Sequence, residues 1–197
     1  TKALAGMHSM PQLPKQRSVL DSLVRTMLSQ NTTDVTSLRA FQQLKAKFPT
    51  WERVRLASLS QVSEQIHCCG MANVRASRIQ VILDTLHEEQ SKRAKGTDVC
   101  MEYVRNMPNE AAKVELSRFK GVGPKVGCAG WCHVSTLIMS PPVTLCPNHT
   151  QTAACVMMFC LRRSEFPVDT HVWRIAKNEG WVPKTATRIQ AYEHLVR

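Results

Sequence analysis

The sequence predicts an all-α protein on three observations. Apolar residues recur at helical spacing in successive segments, almost nothing alternates with the period of two that a strand requires, and capping or breaking residues stand at the segment ends. Residues 1–16 carry Pro11 and Pro14 and no apolar period, so they read as a tail. From Arg17 onward Leu20, Leu23, Val24, Met27 and Leu28 lie at i, i+3, i+4, i+7 and i+8, one apolar face of an amphipathic helix, which residues 29–33 interrupt. Asp34 is the expected N-cap of a helix to about Lys47, closed by Pro49. A short helix is expected from Ser60 and ends at Gly70. Asn73 then caps a longer one, with Ile79, Ile82, Leu83 and Leu86 on one face through to about Gln90. Asn109 with Glu110 opens a helix to Phe119 over Val114 and Leu116, and residues 184–196 form a further one.

Composition narrows the class of function. At 197 residues, 43% hydrophobic and 21% charged, the chain fits one globular domain or two small ones sharing a core, and neither a disordered nor a fibrous protein. No run approaches the roughly 18 to 20 apolar residues of a membrane span, and no basic segment followed by an apolar signal core opens the chain, so a soluble intracellular protein is expected. Twenty-six Lys and Arg against fifteen Asp and Glu leave +11, a surplus that favours a polyanion such as nucleic acid. Eight cysteines include the adjacent Cys68 and Cys69, and in a chain of this length with no secretory signal they read as reduced thiols rather than a disulfide scaffold.

Residues 116–125, LSRFKGVGPK, combine an apolar helix end, a tight Gly-Val-Gly turn and Pro124 at the first position of a new helix. This is a hairpin between helices. Its glycines permit positive φ and close approach, so the turn's N–H groups and the following helix N-terminus can hold a DNA phosphate, whereas a lone GxG would be an ordinary helix C-cap. Elsewhere in the chain stand FPVDTHVWRI (166–175), LSQNTTD (28–34) and CGMANVRASRI (69–79). Together these four segments, spread in order over most of the chain, resemble the hairpin, the VDTH motif, the first loop of the six-helix domain and the wedge loop of the endonuclease III branch of the helix-hairpin-helix DNA glycosylases.

That resemblance implies a two-lobed fold, double-stranded DNA with a damaged base or abasic site as partner, and base excision followed by lyase cleavage. Oxidised pyrimidines are the implied substrates; 5-methylcytosine is an alternative, since plant demethylases share the motifs. Lys125 matches the catalytic lysine and Asp169 the aspartate of VDTH. A base inside a duplex must be flipped out to be reached. Cleaving its glycosidic bond develops positive charge on the sugar, which a carboxylate can stabilise. A deprotonated lysine can attack C1′ and form a Schiff base, after which β-elimination nicks the strand. Taken alone, Lys125 could equally be a phosphate contact and Asp169 an N-cap for a helix beginning at Thr170.

Gln30 or Asn31, with Met71, match residues that enter the space of the flipped base, although Met71 could also be core. The remaining expected DNA contacts are Gly121, Val122, Gly123, Lys120 and Thr152 around the hairpin, and Arg75, Arg78 and Arg118 at phosphates, unless these charges are merely solvated.

Lys125 is followed by VGCAGWCHVSTLIMSPPVTLCPNHTQ, residues 126–151, before TAACVMMFCL supplies the expected helix at 152–161. The inserted residues contain no Asp, Glu, Lys or Arg, where an average chain carries about a quarter. A translated intron explains this, since Val-Gly can be encoded by a sequence beginning GT and Gln by CAG. The rival explanation is a zinc site from Cys128, Cys132, Cys146 and His149. An insert beside the proposed nucleophile makes a catalytically inactive DNA-binding splice form the alternative to an enzyme, because a displacement of about 1 Å can cost on the order of a hundredfold in rate.

The expected layout is a six-helix lobe over 28–165, with the hairpin at 116–125 resumed at 152–161, and a second, incomplete lobe from 17–27 plus 166–197. Many relatives carry four cysteines beyond VDTH that hold an iron-sulfur cluster. Cys68, Cys69, Cys100, Cys155 and Cys160 lack that spacing, so no cluster or other cofactor is expected within these residues. A monomer working in the nucleus completes the expectation.

Overall fold

The computed structural model describes residues 17–93, 99–119, 121–122 and 151–195, and all regular structure among them is helical. In chain order these are α1 (Val19–Ser29), α2 (Asp34–Lys47), α3 (Trp51–Leu56), α4 (Leu59–Gln65), α5 (Ala72–Arg93), α6 (Asn109–Ser117), α7 (Gln151–Cys155), α8 (Thr170–Asn178) and α9 (Arg188–Leu195). Single 3-10 turns lie at His67–Cys69 and Glu102–Asn106. α7 runs into a π-turn, Val156–Cys160, closed by the Leu161 N–H donating to Val156 O at 3.0 Å.

Local chemistry moves several boundaries. Thr33, not Asp34, caps α2: its backbone is extended and its hydroxyl accepts from the Thr36 N–H, while Asp34 is already helical and sets its charge at the positive end of the helix. Ser58 and Gln61 form a reciprocal capping box that starts α4 at Leu59 rather than at Ser60. α3 was not expected. At six residues it is too short for periodicity to register, yet Thr50 caps it and Trp51 and Val54 turn inward one helical turn apart.

The larger core draws on α1 to α7. Leu20, Leu23, Val24, Met27 and Leu28 of α1 meet Ile79, Ile82, Leu83 and Leu86 of α5, Leu116 of α6, and Val156 and Met157 of the π-turn. The apolar face of α1 therefore belongs to this larger core, not to the second cluster with which the sequence grouped residues 17–27. That second cluster forms from Val168, Ala176, Val182, Ala186 and Ala191, with Phe166, Trp173 and Tyr192 against it.

Glu165 joins the two clusters. Its buried carboxylate pairs with Lys113 of α6 and accepts the Tyr192 hydroxyl of α9 at 2.8 Å. Burial opposes the Lys113 charge, but the Glu165 carboxylate outweighs it and holds the ammonium above its ordinary pKa. Removing one partner of such a pair strands a buried charge. Lys113→Met should lower stability by about 3 kcal/mol, and adding Glu165→Gln should recover part of that. Thermal and urea melts of the two variants check this; a loss below about 1 kcal/mol for the single variant would refute the tie.

Candidate functional site

Three segments meet at one side chain. Gln30, at the end of α1, donates its carboxamide N–H groups to Gly121 O and to Thr152 Oγ1, both at 2.9 Å. Gly121 opens the glycine turn after α6 and Thr152 lies in α7, so this amide clasps the two flanks of the 126–151 insert side by side. Val122, Thr152, Ala153 and Ala154 are buried there. Gly121 must be glycine: its φ is +95°, and a Cβ would stand 2.8 Å from Arg78 Cδ.

Arg75 braces the same region from α5. The residue is 9% exposed, and its guanidinium donates to Met27 O and Gln30 O at the end of α1 and, at 3.0 Å, to Gly70 O before α5. No carboxylate pairs with it among the described residues; the carbonyl end of α1, the negative end of that helix, partly offsets its charge. Arg75 was expected at a phosphate. Its donors are instead spent on backbone carbonyls, as befits a cation buried without a counter-ion.

Beside these carbonyls stand two exposed loop tips. Asn31 has φ +53° and Met71 φ +50°, left-handed conformations that cost a non-glycine residue about 1–2 kcal/mol each. Met71 is 67% exposed, which excludes the core-packing reading. Of the pair Gln30 and Asn31, only Asn31 is exposed, since Gln30 is half-buried with its amide engaged. Arg78 is half-buried against Gly121 and lines an open groove with Asn73, Val74, Ser77 and Val81. Arg118, expected at a phosphate, is held by Glu89 and Glu115.

Asp169 is the N-cap of α8, its Oδ1 accepting the Val172 N–H at 2.7 Å. It also lies close enough to α7 to act on Cys155. Burial first, and then the Asp169 charge, push that thiol up to about 11. Thr152, one turn earlier in α7, is the residue that Gln30 clasps, so Asp169 and the hairpin flank meet through one helix. Sequence reasoning missed the inward roles of Gln30 and Arg75 and the nearness of Cys155 to Asp169; none has a local sequence signal, because each joins segments far apart in the chain. Lys120, Gly123 and Lys125, and Cys128, Cys132, Cys146 and His149, lie outside the described residues. Among the described residues no three His, Cys, Asp or Glu side chains gather as a metal site, and no helix is long and apolar enough to cross a membrane.

The arrangement is a helical DNA-repair fold. It superposes on endonuclease III in a non-covalent complex with DNA at a TM-score of 0.61, covering 91% of this chain and 64% of that one at 19% identity. The chain belongs to the HhH-GPD superfamily of base excision DNA repair proteins, whose pattern matches residues 24–197. It is 43% identical over 183 residues to a provisionally named DNA glycosylase of Arabidopsis thaliana, covering 93% of this chain and 52% of the relative. It is 31% identical over 133 residues to the DNA glycosylase/AP lyase ROS1 of the same plant, covering 68% of this chain and 7% of ROS1. The chain thus spans about half the first relative and a small part of the second.

Two measurements check the site's geometry. Gly121→Ala should lower stability by about 1–2 kcal/mol, because alanine resists the positive φ; an unchanged melting temperature would mean that the turn can relax. Iodoacetamide labelling of Cys155, followed by peptide mass spectrometry, should be slow at pH 8 and rise about tenfold per pH unit up to pH 10. Asp169→Asn keeps an N-cap but removes the charge, so it should speed labelling of Cys155; an unaltered rate would separate the two residues.

Proposed function

We propose that this chain is a DNA glycosylase with AP lyase activity that acts on damaged bases in double-stranded DNA. The observation that carries the proposal is the clasp of Gln30 on Gly121 and Thr152, with Asp169 beside the same helix α7. It supports a single catalytic pocket despite the insert, with the hairpin flank and the carboxylate sharing one support.

Duplex DNA binds with a phosphate at the Gly121–Gly123 turn. Met71 and Asn31 enter the stack where the target nucleotide leaves it: an unbranched apolar wedge replaces stacking, and a carboxamide replaces the lost base's hydrogen bonds. The neutral Lys125 amine attacks C1′ and the base departs with the electrons of the glycosidic bond. Asp169 stabilises the positive charge that develops on the sugar. The attached nitrogen gives up a proton, the C1′–O4′ bond breaks with O4′ taking up a proton, and the Schiff base results; loss of the C2′ proton then drives β-elimination, in which the C3′–O bond breaks and the 3′ phosphate leaves. Oxidised pyrimidines are the proposed bases, by family resemblance.

Borohydride trapping on a duplex with an abasic site tests this, using the chain as it stands, the chain lacking 126–151, and Lys125→Ala in each. A covalent adduct from the intact chain, absent with Lys125→Ala, is the expected result. Asp169→Asn should cut excision at least a hundredfold while leaving the α8 cap and the melting temperature in place. Adduct from the shortened chain alone would make this form a DNA-binding one without catalysis, and no adduct from either would refute the lyase assignment. A panel with oxidised pyrimidines and 5-methylcytosine then identifies the base.

A further inference from the structure

We propose that Arg75 is a positioning residue that couples Asn31 and Met71, so that the two tips meet distorted DNA as one rigid unit. The inference rests on the flipping role proposed above for those tips.

The geometry is specific. Arg75 donates to the carbonyls of Gln30 and Gly70, which belong to the very peptide units that lead into Asn31 and Met71. Fixing the plane of a peptide fixes one side of the next residue's φ rotation, and these are two of only three non-glycine residues with positive φ among those described, the third being Arg162. The third donor, to Met27 O, ties the fork to α1, and Arg75 itself stands in the first turn of α5, which begins directly after Met71. One planar group thus sets both tips against two rigid helices. A lysine ammonium at the end of a flexible stem cannot reproduce a three-carbonyl fork. Gln30 extends the frame, its backbone held by Arg75 and its side chain by the hairpin.

A rigid pair of tips matters only where DNA is already weakened, because intact stacks resist insertion. Arg75 should therefore affect the preference for an abasic site and not the grip on ordinary duplex. The test compares the Kd for a duplex bearing a tetrahydrofuran abasic analogue with the Kd for the intact duplex, across a salt series. The wild-type chain should prefer the analogue. Arg75→Lys should reduce that preference about tenfold with the intact-duplex Kd and its salt slope unchanged. Adding Met71→Ala should then cost less than it does in the wild type, since the tips are already uncoupled.

An equal loss on both duplexes would make Arg75 a phosphate contact and overturn the inference, and Arg75→Met, which removes the charge, would then also lower the salt slope by about one. So would an unchanged preference, or strictly additive effects of Arg75→Lys and Met71→Ala. If Arg75→Lys does not fold, Asn31→Ala and Met71→Ala, singly and together with Arg75 in place, test the coupling: a combined loss of preference smaller than the sum is expected, and strictly additive losses overturn the inference. A wild-type chain with no preference for the analogue removes the flipping role itself, and the inference with it. Flipping intact but insensitive to Arg75 removes the inference alone.

Discussion

The carboxamide of Gln30 is shared between a carbonyl in the turn that follows one helix and a hydroxyl in another. A primary amide has two N–H donors on one planar nitrogen, and both are used here on partners from opposite flanks. Were the amide absent, Gly121 O and Thr152 Oγ1 would lose a common partner in a region where Val122 and Thr152 are buried, at a cost of about 1–3 kcal/mol for each polar group left unpaired. Arg75 depends on the same residue through its backbone. Hairpin, first loop and wedge loop are thus a connected set with Gln30 at its centre.

The second cluster is set by a different kind of bond. Glu165 stands four residues before Asp169, and its carboxylate is fixed from α6 by Lys113 and from α9 by Tyr192. The short segment between them has little freedom once both ends are held, the far end by the cap that Asp169 makes on α8. A buried ion pair adds little net stability compared with apolar packing, but it tolerates few alternative geometries. Here it holds the start of the segment that leads to Asp169, whose charge reaches Cys155 of α7.

The helices of the larger core were legible because their apolar residues follow the 3.6-residue period: the inward face read for α1 and for α5 is the face that packs. Asp169 as a helix cap was legible too, since an aspartate before a helical run has a local signature. The burial of Arg75 was not legible, because an arginine on a predicted helix carries no mark of burial. What buries it is a set of carbonyls contributed by residues 27, 30 and 70, and backbone groups are the same in every sequence. Residues 17–27 were assigned to the second lobe by family layout, whereas the partners of their apolar face are a tertiary fact.

Residues 126–151 bear on the proposed chemistry and not on the clasp. Between Gly121 and Thr152 the chain has thirty residues, 122–151. The clasp by Gln30 engages Gly121, which precedes the insert, and Thr152, which follows it, and neither contact requires a continuous helix between them. Stability and catalysis therefore separate in this chain. The residues that hold Gly121 and Thr152 together are all placed without Lys125, and the proposed chemistry adds a single further demand, that its amine reach the sugar whose charge Asp169 is proposed to stabilise.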